Sequence, residues 1–463
     1  MTSTHARAAI AALMLAWALA SAGPAAAKSP PSTVTCGDTL TRSVKLTADL
    51  TDCPGDGILI GAAGITVDLN GHTLDGAGND GTCAFPALAR NGIANPGYDR
   101  VTIQNGTVQQ FSVGISAGSD TDGMSDSHVH NMVLRDNPWG GVSIGGGAGA
   151  VTAGNRIDHN LVSNASCSAG LELNTGQRNT FDGNRVEHSS LGIEICCGGA
   201  GDANVVHGNA ISGIDEVGIR VFSSGAGRVA ANTITEAEVG IQVNGATADE
   251  LVQGNTITHT RHQGITVEPC CEDTPQSPSA IRVLDNTLSA TGDGIWIVDS
   301  DRDVVARNKV TGAGTFGQHP FGTGVLLNGA SDTRVYRNTI IDSGRGVLAG
   351  IVPGIAIGLP DDFFPSPRPV TGNLVVDNTV SGQLADGILV AKVARDTLLK
   401  RNLTKRNTGD GINVQSAATT ITRNTADDNG AFGIEAVPGV TDGGGNRAHG
   451  NGNPAQCTGV ACT

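Results

Sequence analysis

Residues 205–269 contain three successive passes of one repeat, VVHGNAISGIDEVGIRVFSSGAG, RVAANTITEAEVGIQVNGATADE and LVQGNTITHTRHQGITVEP. Each pass carries an Asn-x-Ile segment and, eight or nine residues later, a Gly-Ile-x-Val segment (Asn209 and Gly218, Asn232 and Gly240, Asn255 and Gly264). A period in the twenties indicates stacked units that bury their apolar faces against one another. Apolar residues alternate within a unit, as in Ile219-Arg220-Val221, so the elements are short strands. The stretch therefore predicts a parallel β-helix.

The same segments recur over most of the chain, with spacings that stretch where loops are inserted. We predict a β-helix over residues 58–445, preceded by a leader and N-terminal cap at 28–57 and followed by an end loop at 446–463. The insertions are expected at 269–280, 313–323 and 351–369. A solenoid lengthens without needing a new core, so one domain is expected despite the length of the chain.

The first 27 residues have the pattern of a secretory signal peptide. Arg7 precedes an apolar run over residues 8–20, and small residues end in Ala25-Ala26-Ala27. The run is too short to span a membrane as a helix. We expect cleavage after Ala27 and a secreted, extracellular monomer that does not span a membrane.

Ten cysteines in an exported chain are expected to be mostly paired. Cys36–Cys53 and Cys457–Cys462 are predicted to staple the two ends. The other six are Cys83, Cys167, Cys196, Cys197, Cys270 and Cys271. Cys167 with Cys196 or Cys197 is the easier pairing among them, and their connectivity stays open.

The formal net charge of −15 argues against nucleic acid as a partner, because neutralising phosphates requires clustered Lys and Arg. The electrostatic field of this negative charge would also repel a polyanionic polysaccharide, unless a local basic strip or bound cations intervened.

The repeated asparagines have a structural explanation. Asn tolerates the left-handed backbone conformation of a sharp turn, and stacked side-chain amides can bond along a column. Together with the opening CGDTL…LTADLTDCPGDGILIGAAGITVDLNGHTLDG, the repeat resembles exported right-handed parallel β-helix proteins of the pectin-lyase-like superfamily, and specifically the NosD-like group. That resemblance implies a fold shared by polysaccharide lyases, glycosidases, uronate epimerases and binding proteins, and the fold alone does not choose among them.

In Gly-Ile-x-Val the letter x faces outward, so stacking predicts an outward column. Its members are Glu172, Glu194, Arg220, Gln242, Thr266, Trp296 and Leu326. Two carboxylates about 5 Å apart at the Cα atoms, beside a guanidinium, suit β-elimination or glycoside hydrolysis. We therefore take Glu172, Glu194 and Arg220 as candidate catalytic residues, and His188, or alternatively His259, as a candidate general base. The simpler alternative is a surface ion pair between Glu194 and Arg220.

Candidate substrate-binding residues are Gln242, Thr266 and Trp296 of the column, and Phe316 and Phe321 of the second insertion. That insertion also contains His319, and the third contains Asp361, Asp362, Phe363 and Phe364. Exposed loop aromatics suit ligand contact, although they could equally cover apolar sheet.

Histidines give a further pattern. His159, His188 and His259 each follow a repeat Asn by four residues, in a register that Glu236 shares, and His262 and Cys270-Cys271 lie beyond. Imidazole and thiolate suit zinc or copper, but exported cysteines prefer disulfides. Residues 299–303 resemble the start of a calcium loop but lack its glycine. No cofactor is expected, and no calcium site is convincing.

These observations give three functional hypotheses. The leading one is an exported β-helix that binds, and cleaves or epimerises, an extracellular polysaccharide along its outer face. The second is a non-catalytic wall-binding or matrix-binding structural protein. The third, implied by the resemblance, is a metal-delivery accessory protein of NosD type.

Overall fold

The computed structural model describes residues 33–78, 83, 90–119, 121–146, 150, 152–199, 201–270, 276–316, 321–344, 353–358 and 368–463. Thr35–Thr463 forms one compact unit, and every regular element described is a β-strand. Among the described residues no helix is long and apolar enough to cross a membrane. The expected signal peptide lies outside the described residues.

The strands are short. In the first third of the chain they are β1 (Asp38–Leu40), β2 (Val44–Lys45), β3 (Leu50–Cys53), β4 (Ile58–Ile60), β5 (Thr66–Asp68), β6 (Thr73–Gly76), β7 (Asn91–Asn95), β8 (Thr102–Gln109), β9 (Val113–Ala117), β10 (His128–Arg135), β11 (Val142–Gly145), β12 (Arg156–Asp158) and β13 (Leu161–Ser163).

In the middle of the chain they are β14 (Ala169–Asn174), β15 (Thr180–Asp182), β16 (Arg185–Glu187), β17 (Leu191–Gly199), β18 (Val205–His207), β19 (Ala210–Ser212), β20 (Val217–Ser224), β21 (Arg228–Ala230), β22 (Thr233–Ala237), β23 (Val239–Asn244), β24 (Leu251–Gln253), β25 (Thr256–Thr260), β26 (Gln263–Glu268), β27 (Arg282–Leu284), β28 (Thr287–Ser289), β29 (Asp293–Val298), β30 (Val304–Ala306) and β31 (Lys309–Thr311).

In the last third they are β32 (Val325–Asn328), β33 (Arg334–Tyr336), β34 (Thr339–Ile341), β35 (Ile355–Ile357), β36 (Leu374–Val376), β37 (Thr379–Ser381), β38 (Ile388–Val390), β39 (Thr397–Lys400), β40 (Leu403–Lys405), β41 (Ile412–Val414), β42 (Thr419–Thr422), β43 (Thr425–Asp427), β44 (Ile434–Ala436), β45 (Thr441–Asp442), β46 (Arg447–His449) and β47 (Cys457–Thr458).

These strands stack in three parallel rows. Most coils contribute one strand to each row, and in two coils a single strand, β8 or β10, runs through two rows. Row A is a 17-stranded sheet that contains the Gly-Ile-x-Val strands. Row B contains the strands that precede each repeat Asn (β12, β15, β18 and their equivalents), and row C contains those that follow it (β13, β16, β19 and their equivalents). This architecture is the expected parallel β-helix.

The core is built from the inward residues of the three rows. In the coil of β18–β20, Val206, Ile211 and Ile219 point inward from rows B, C and A and are fully buried. Burying one such side chain contributes about 1.5–3 kcal/mol, and each coil repeats the contribution. The alternation seen in the sequence is therefore the alternation between core and surface.

The repeat asparagines form one continuous ladder inside the solenoid, at the corner between rows B and C. Its members are Asn160, Asn184, Asn209, Asn232, Asn255, Asn286, Asn308, Asn338, Asn378, Asn402, Asn424 and Asn446. Asn255 is typical: its backbone N–H and its Nδ2 both donate to Oδ1 of Asn286 at 2.9 Å, and Nδ2 also donates to the carbonyl of Val229 at 3.0 Å. The expected structural role of these residues is confirmed.

One part of that explanation is wrong. The left-handed residue at this corner is not the asparagine but the residue before it, such as Gly208 (φ 65°), Ala231 (φ 56°) or Gly254 (φ 66°). The preceding residue turns the chain, and the Asn side chain then enters the interior, where it can bond to the next coil.

A second buried column runs at the corner between rows A and B, and acidic residues take two of its places. Asn155, Asn179 and Asn204 bond in succession, as in the first ladder. Farther along, Glu250 accepts the backbone N–H of Gly227 at 2.9 Å and Asp303 accepts that of Ile281 at 2.8 Å. Glu250 and Asp303 are thus buried carboxyl groups inside the solenoid.

Both ends of the solenoid continue its coils. β1, β2 and β3 pair in parallel with β4, β5 and β6, so the cap is itself a coil, and the Cys36–Cys53 disulfide staples it as expected. Residues 446–463 were expected to form only a loop, but β46 and β47 extend rows C and A. Main-chain pairing and the ladder amide of Asn446 hold this segment without the apolar residues that the expectation relied on.

The insertions also differ from their expected bounds. The segment expected as a loop at 351–369 contains β35, a Gly-Ile-x-Ile strand beginning at Gly354 that pairs with β32 and β38. The outward residue of this strand is Ala356, which pairs with Leu326 of the column. Asp361, Asp362, Phe363, Phe364 and His319 lie outside the described residues.

Candidate functional site

The outward column of row A has the predicted register throughout. Strand pairing aligns Glu172 with Glu194, Glu194 with Arg220, Arg220 with Gln242, Gln242 with Thr266, Thr266 with Trp296, and Trp296 with Leu326. Each strand is about 4.8 Å from the next, so consecutive side chains are direct neighbours.

The first half of this column is a hydrogen-bonded polar row. Glu172 accepts the Ser143 hydroxyl at 3.0 Å and Nδ2 of Asn174 at 2.5 Å. Arg220 Nη1 lies 3.5 Å from Oε1 of Glu194, and its Nε donates to Oε1 of Gln242 at 2.9 Å. These contacts orient Glu172 on its own strand, and they join Glu194, Arg220 and Gln242 along three coils.

Glu194 is less exposed than its charged neighbour Arg220. Its side chain is 16% exposed, against 25% for that of Arg220. Burial raises the pKa of Glu194 and the neighbouring Glu172 carboxylate adds to the rise, while the guanidinium of Arg220 opposes both. A carboxyl group with a raised pKa, next to a second carboxylate, is the arrangement that general acid catalysis requires.

The row is acidic around its single guanidinium. Arg220 Nη2 is also 3.7 Å from Oε2 of Glu216, and Gln242 Nε2 donates to Oε1 of Glu268 at 2.6 Å. Glu194 and Glu216 contact Arg220, and two more glutamates lie on the same face, so this face offers no net positive charge to a polyanion.

The second half of the column is covered. Thr266, Trp296 and Leu326 are buried, and the Trp296 side chain is only 5% exposed. Trp296, Leu326, Ala356 and Phe321 form one apolar cluster, in which the rings of Trp296 and Phe321 lie 6.0 Å apart. The expected exposed indole face is therefore wrong, because Phe321 of the second insertion folds over this part of row A.

Phe316 lies elsewhere. Its ring meets that of His259 edge-on, with centroids 5.2 Å apart, and His259 belongs to β25 in row C. Phe316 and Phe321, both candidate substrate-binding residues of the second insertion, therefore contact different rows.

The histidines do not join the column. His188 and His259 occupy equivalent left-handed positions in their coils, towards the end of row C. His159 occupies a different left-handed corner, directly after a strand of row B. The ring of His188 packs against Gly213 of the next coil. In the part of the chain that the structure describes, no hydrogen bond or ion pair connects His188 to Glu172, Glu194 or Arg220.

The first insertion approaches the polar row. Gln276 forms an isolated antiparallel bridge with Cys270, and its Oε1 accepts the Ser223 hydroxyl at 3.3 Å. Ser223 belongs to β20, the strand that carries Arg220. The described part of this insertion therefore borders the same face as the two carboxylates.

The cysteine pairing limits metal binding. Cys167 bonds to Cys83 and not to Cys196 or Cys197, which bond to each other, and Cys457–Cys462 pairs as expected. Cys270 is also disulfide-bonded and supplies no thiolate to the nearby histidines. Within the described ranges no group of three or more His, Cys, Asp or Glu side chains could hold a metal ion.

A second outward position in the same strands was overlooked in the sequence. Two residues after the letter x, strand pairing aligns Asn174, Cys196, Phe222 and Asn244, and then Glu268. Side chains two residues apart in a strand lie on the same face, so the alternation that predicts the outward position x also predicts that these residues face outward. They widen the polar row into a surface two side chains across.

Comparisons with known proteins agree on the fold. The family described as "Right handed beta helix region" matches residues 50–226 and 161–312. Similar solved structures include the A-module of mannuronan C-5 epimerase AlgE4 from Azotobacter vinelandii, at 16% identity and a TM-score of 0.46 over 83% of this chain and 91% of that one. Another is the catalytic unit of a GH87 α-1,3-glucanase from Streptomyces thermodiastaticus, at 18% identity and a TM-score of 0.47 over 64% of this chain and 63% of that one. Among curated proteins, none matches.

At these identities and TM-scores the solved structures assign no activity to this chain. The family match spans more than half of the sequence and includes the strands that carry Glu172, Glu194 and Arg220. The chain belongs to the right-handed β-helix family.

Proposed function

We propose that this protein is exported, binds a neutral polysaccharide along the outer face of row A between Glu172 and Glu268, and hydrolyses it. The observation that carries the proposal is the pairing of Glu194, whose pKa is raised by burial, with the carboxylate of Glu172 on the adjacent strand. The disulfides Cys36–Cys53 and Cys83–Cys167 support export, because such bonds persist in oxidising compartments.

The charge of the face favours a neutral polymer. β-Elimination and epimerisation act on uronates, whose carboxylates would meet four glutamates and one arginine here. Neutral sugars avoid that repulsion, and carboxylates and amides are good partners for their hydroxyls.

In the proposed reaction Glu194 donates its proton to the glycosidic oxygen as the bond to the anomeric carbon breaks. The carboxylate of Glu172, oriented by Ser143 and Asn174, attacks that carbon. Water then releases the sugar, and Glu194 recovers its proton from that water. Adjacent strands about 4.8 Å apart favour this short separation of the carboxyl groups, and hence retention of configuration.

The test is incubation of the protein with a panel of neutral and uronic polysaccharides, following both reducing ends and unsaturated products. We expect reducing ends from a neutral polymer, loss of product in Glu194→Gln, and unchanged product in the control Glu435→Gln, which lies far along the same row. Product that survives Glu194→Gln would refute the residue assignment. Binding without product from any polymer would favour the structural, matrix-binding alternative.

A further inference from the structure

We infer that the Cys196–Cys197 disulfide and Phe222 form an apolar platform on which one pyranose ring of the polysaccharide stacks. The inference rests on the proposed function and gives the binding face a specific subsite. Its observations are a disulfide between adjacent residues, a half-buried aromatic ring beside it, and the polar row along one edge of both.

The disulfide lies on the outer face of row A. Cys196 follows Glu194 by two residues in β17, so the two side chains share one face of the strand. Cys196 bonds to Cys197, whose backbone is left-handed at φ 66° and which is exposed. A bond between neighbouring residues closes a small ring, so the two sulfur atoms form one compact surface in place of two rotating thiols.

Phe222 extends this surface onto the next coil. Strand pairing aligns Cys196 with Phe222, as it aligns Glu194 with Arg220. The Phe222 ring lies close over Gly245, where a side chain would meet it at 3.0 Å. Sulfur and aromatic carbon are both polarisable and apolar, and contacts between them are favourable.

The turn beyond the disulfide is anchored. Asp202 accepts the Ser224 hydroxyl at 3.0 Å and a backbone hydrogen bond from Gly199. A side chain at Gly198 would collide with the Asp202 carboxylate at 2.0 Å, so the turn folds tightly against it. On the other side, Gln276 of the first insertion holds Ser223, the neighbour of Phe222.

Two parallel rows of different chemistry result. Glu194 and Arg220 form the polar row, and the disulfide and Phe222 form the apolar row, roughly 6.6 Å away along the strands. A pyranose presents the same division, with C–H groups on its faces and hydroxyls around its edge. The C–H face would rest on the platform while the edge hydroxyls reach the carboxylate, the guanidinium and Gln242.

The experiment compares binding of neutral oligosaccharides by wild type, Phe222→Ala and the double variant Cys196→Ser/Cys197→Ser. The control is Cys457→Ser/Cys462→Ser, which also removes a disulfide that closes a very short loop, but at the end of the solenoid. Affinity is measured by calorimetry, contact by saturation transfer from protein to sugar C–H protons, and folding by circular dichroism.

We expect affinity to fall about tenfold in Phe222→Ala and in the double cysteine variant, with weaker saturation transfer to the C–H protons and no change in the control. If both platform variants bind as wild type does while Glu194→Gln/Arg220→Ala does not, the platform is wrong and the proposed function stands. If wild type binds no polysaccharide, both are wrong. If a platform variant is misfolded, the same binding measurement is made on Phe222→Leu. This variant keeps an apolar side chain but removes the ring, so it should still bind more weakly than wild type.

Discussion

Oε1 of Glu194 lies 3.5 Å from Nη1 of Arg220 on the next coil, and this contact lowers the pKa of the proposed catalytic acid against the larger effect of burial, which raises it. Burial raises the pKa of Glu194 and the guanidinium only partly offsets that rise, so the pKa stays above its ordinary value. A residue of the neighbouring coil thus limits the rise in the pKa of Glu194, although the two are 26 residues apart in the sequence.

Replacing Arg220 should move the pH dependence of hydrolysis. A general acid works in its protonated form, so the rate falls as pH rises through the pKa of Glu194. Arg220→Gln removes the influence that lowers this pKa, so the alkaline limb of the rate profile should shift to higher pH. Rates of reducing-end formation between pH 4 and 9 would measure it.

Arg228→Gln serves as control, since Arg228 is an exposed residue of row B and should leave the profile unchanged. An alkaline limb that stays in place in Arg220→Gln, or moves to lower pH, would show that Glu194 is not the titrating acid.

The asparagine ladder should contribute measurably to the stability of the fold. Asn255→Ala removes the acceptor of the Asn232 backbone N–H and side chain, and leaves these donors buried without that partner. We expect a loss of about 1–3 kcal/mol in the free energy of unfolding, measured with urea. The neighbouring exposed Thr256→Ala should change it by less than about 0.5 kcal/mol. Equal effects of the two changes would contradict a structural role for the ladder.

The sequence was sufficient to predict the rows and the outward column because both depend on a local period. Because side chains alternate between the two faces of a strand, the sequence places Glu172, Glu194 and Arg220 on the outer face. The recurrence of Gly-Ile places them on successive coils. Strand pairing then confirms the register from Glu172 to Leu326.

Contacts made by insertions could not be predicted in this way. Phe321 covers Trp296, and it belongs to an insertion that does not follow the repeat. The outward-facing Trp296 is therefore buried, which the repeat alone could not indicate. The Cys83–Cys167 pair closes 84 residues through a segment outside the repeat. The left-handed residue before each ladder asparagine was missed because it varies among Gly, Ala, Asp, Arg and His, and only the backbone reveals their common role.

Stability should fall as pH rises above the acid range. Burial raises the pKa of Glu250 from an ordinary 4.5 to about 8 and that of Asp303 from 3.8 to about 7. At a pH between the ordinary and the raised pKa of each group, the folded chain holds a proton that the unfolded chain releases. The free energy of unfolding therefore declines as pH increases, by up to about 1.4 kcal/mol per pH unit for each group.

Glu250→Gln keeps an acceptor for Gly227 and cannot ionise, so it should flatten this decline between about pH 5 and 8. Urea unfolding at several pH values gives the slope, and Glu236→Gln, at an exposed corner, should leave it as in wild type. A slope unaffected by Glu250→Gln would mean that the carboxyl group is ionised in the folded state.

Saccharide binding at the polar row should not depend on the Phe321 ring that covers Trp296. Phe321→Ala removes the ring that lies 6.0 Å from the indole, and should lower stability by about 3–5 kcal/mol while exposing Trp296 to water. A red shift of Trp296 emission, recorded in a Trp139→Phe background, would report the exposure. Saccharide binding at Glu194 should persist, because that residue lies four coils away in row A. Loss of binding in a folded Phe321→Ala variant would instead mean that the cover and the polar row form one site.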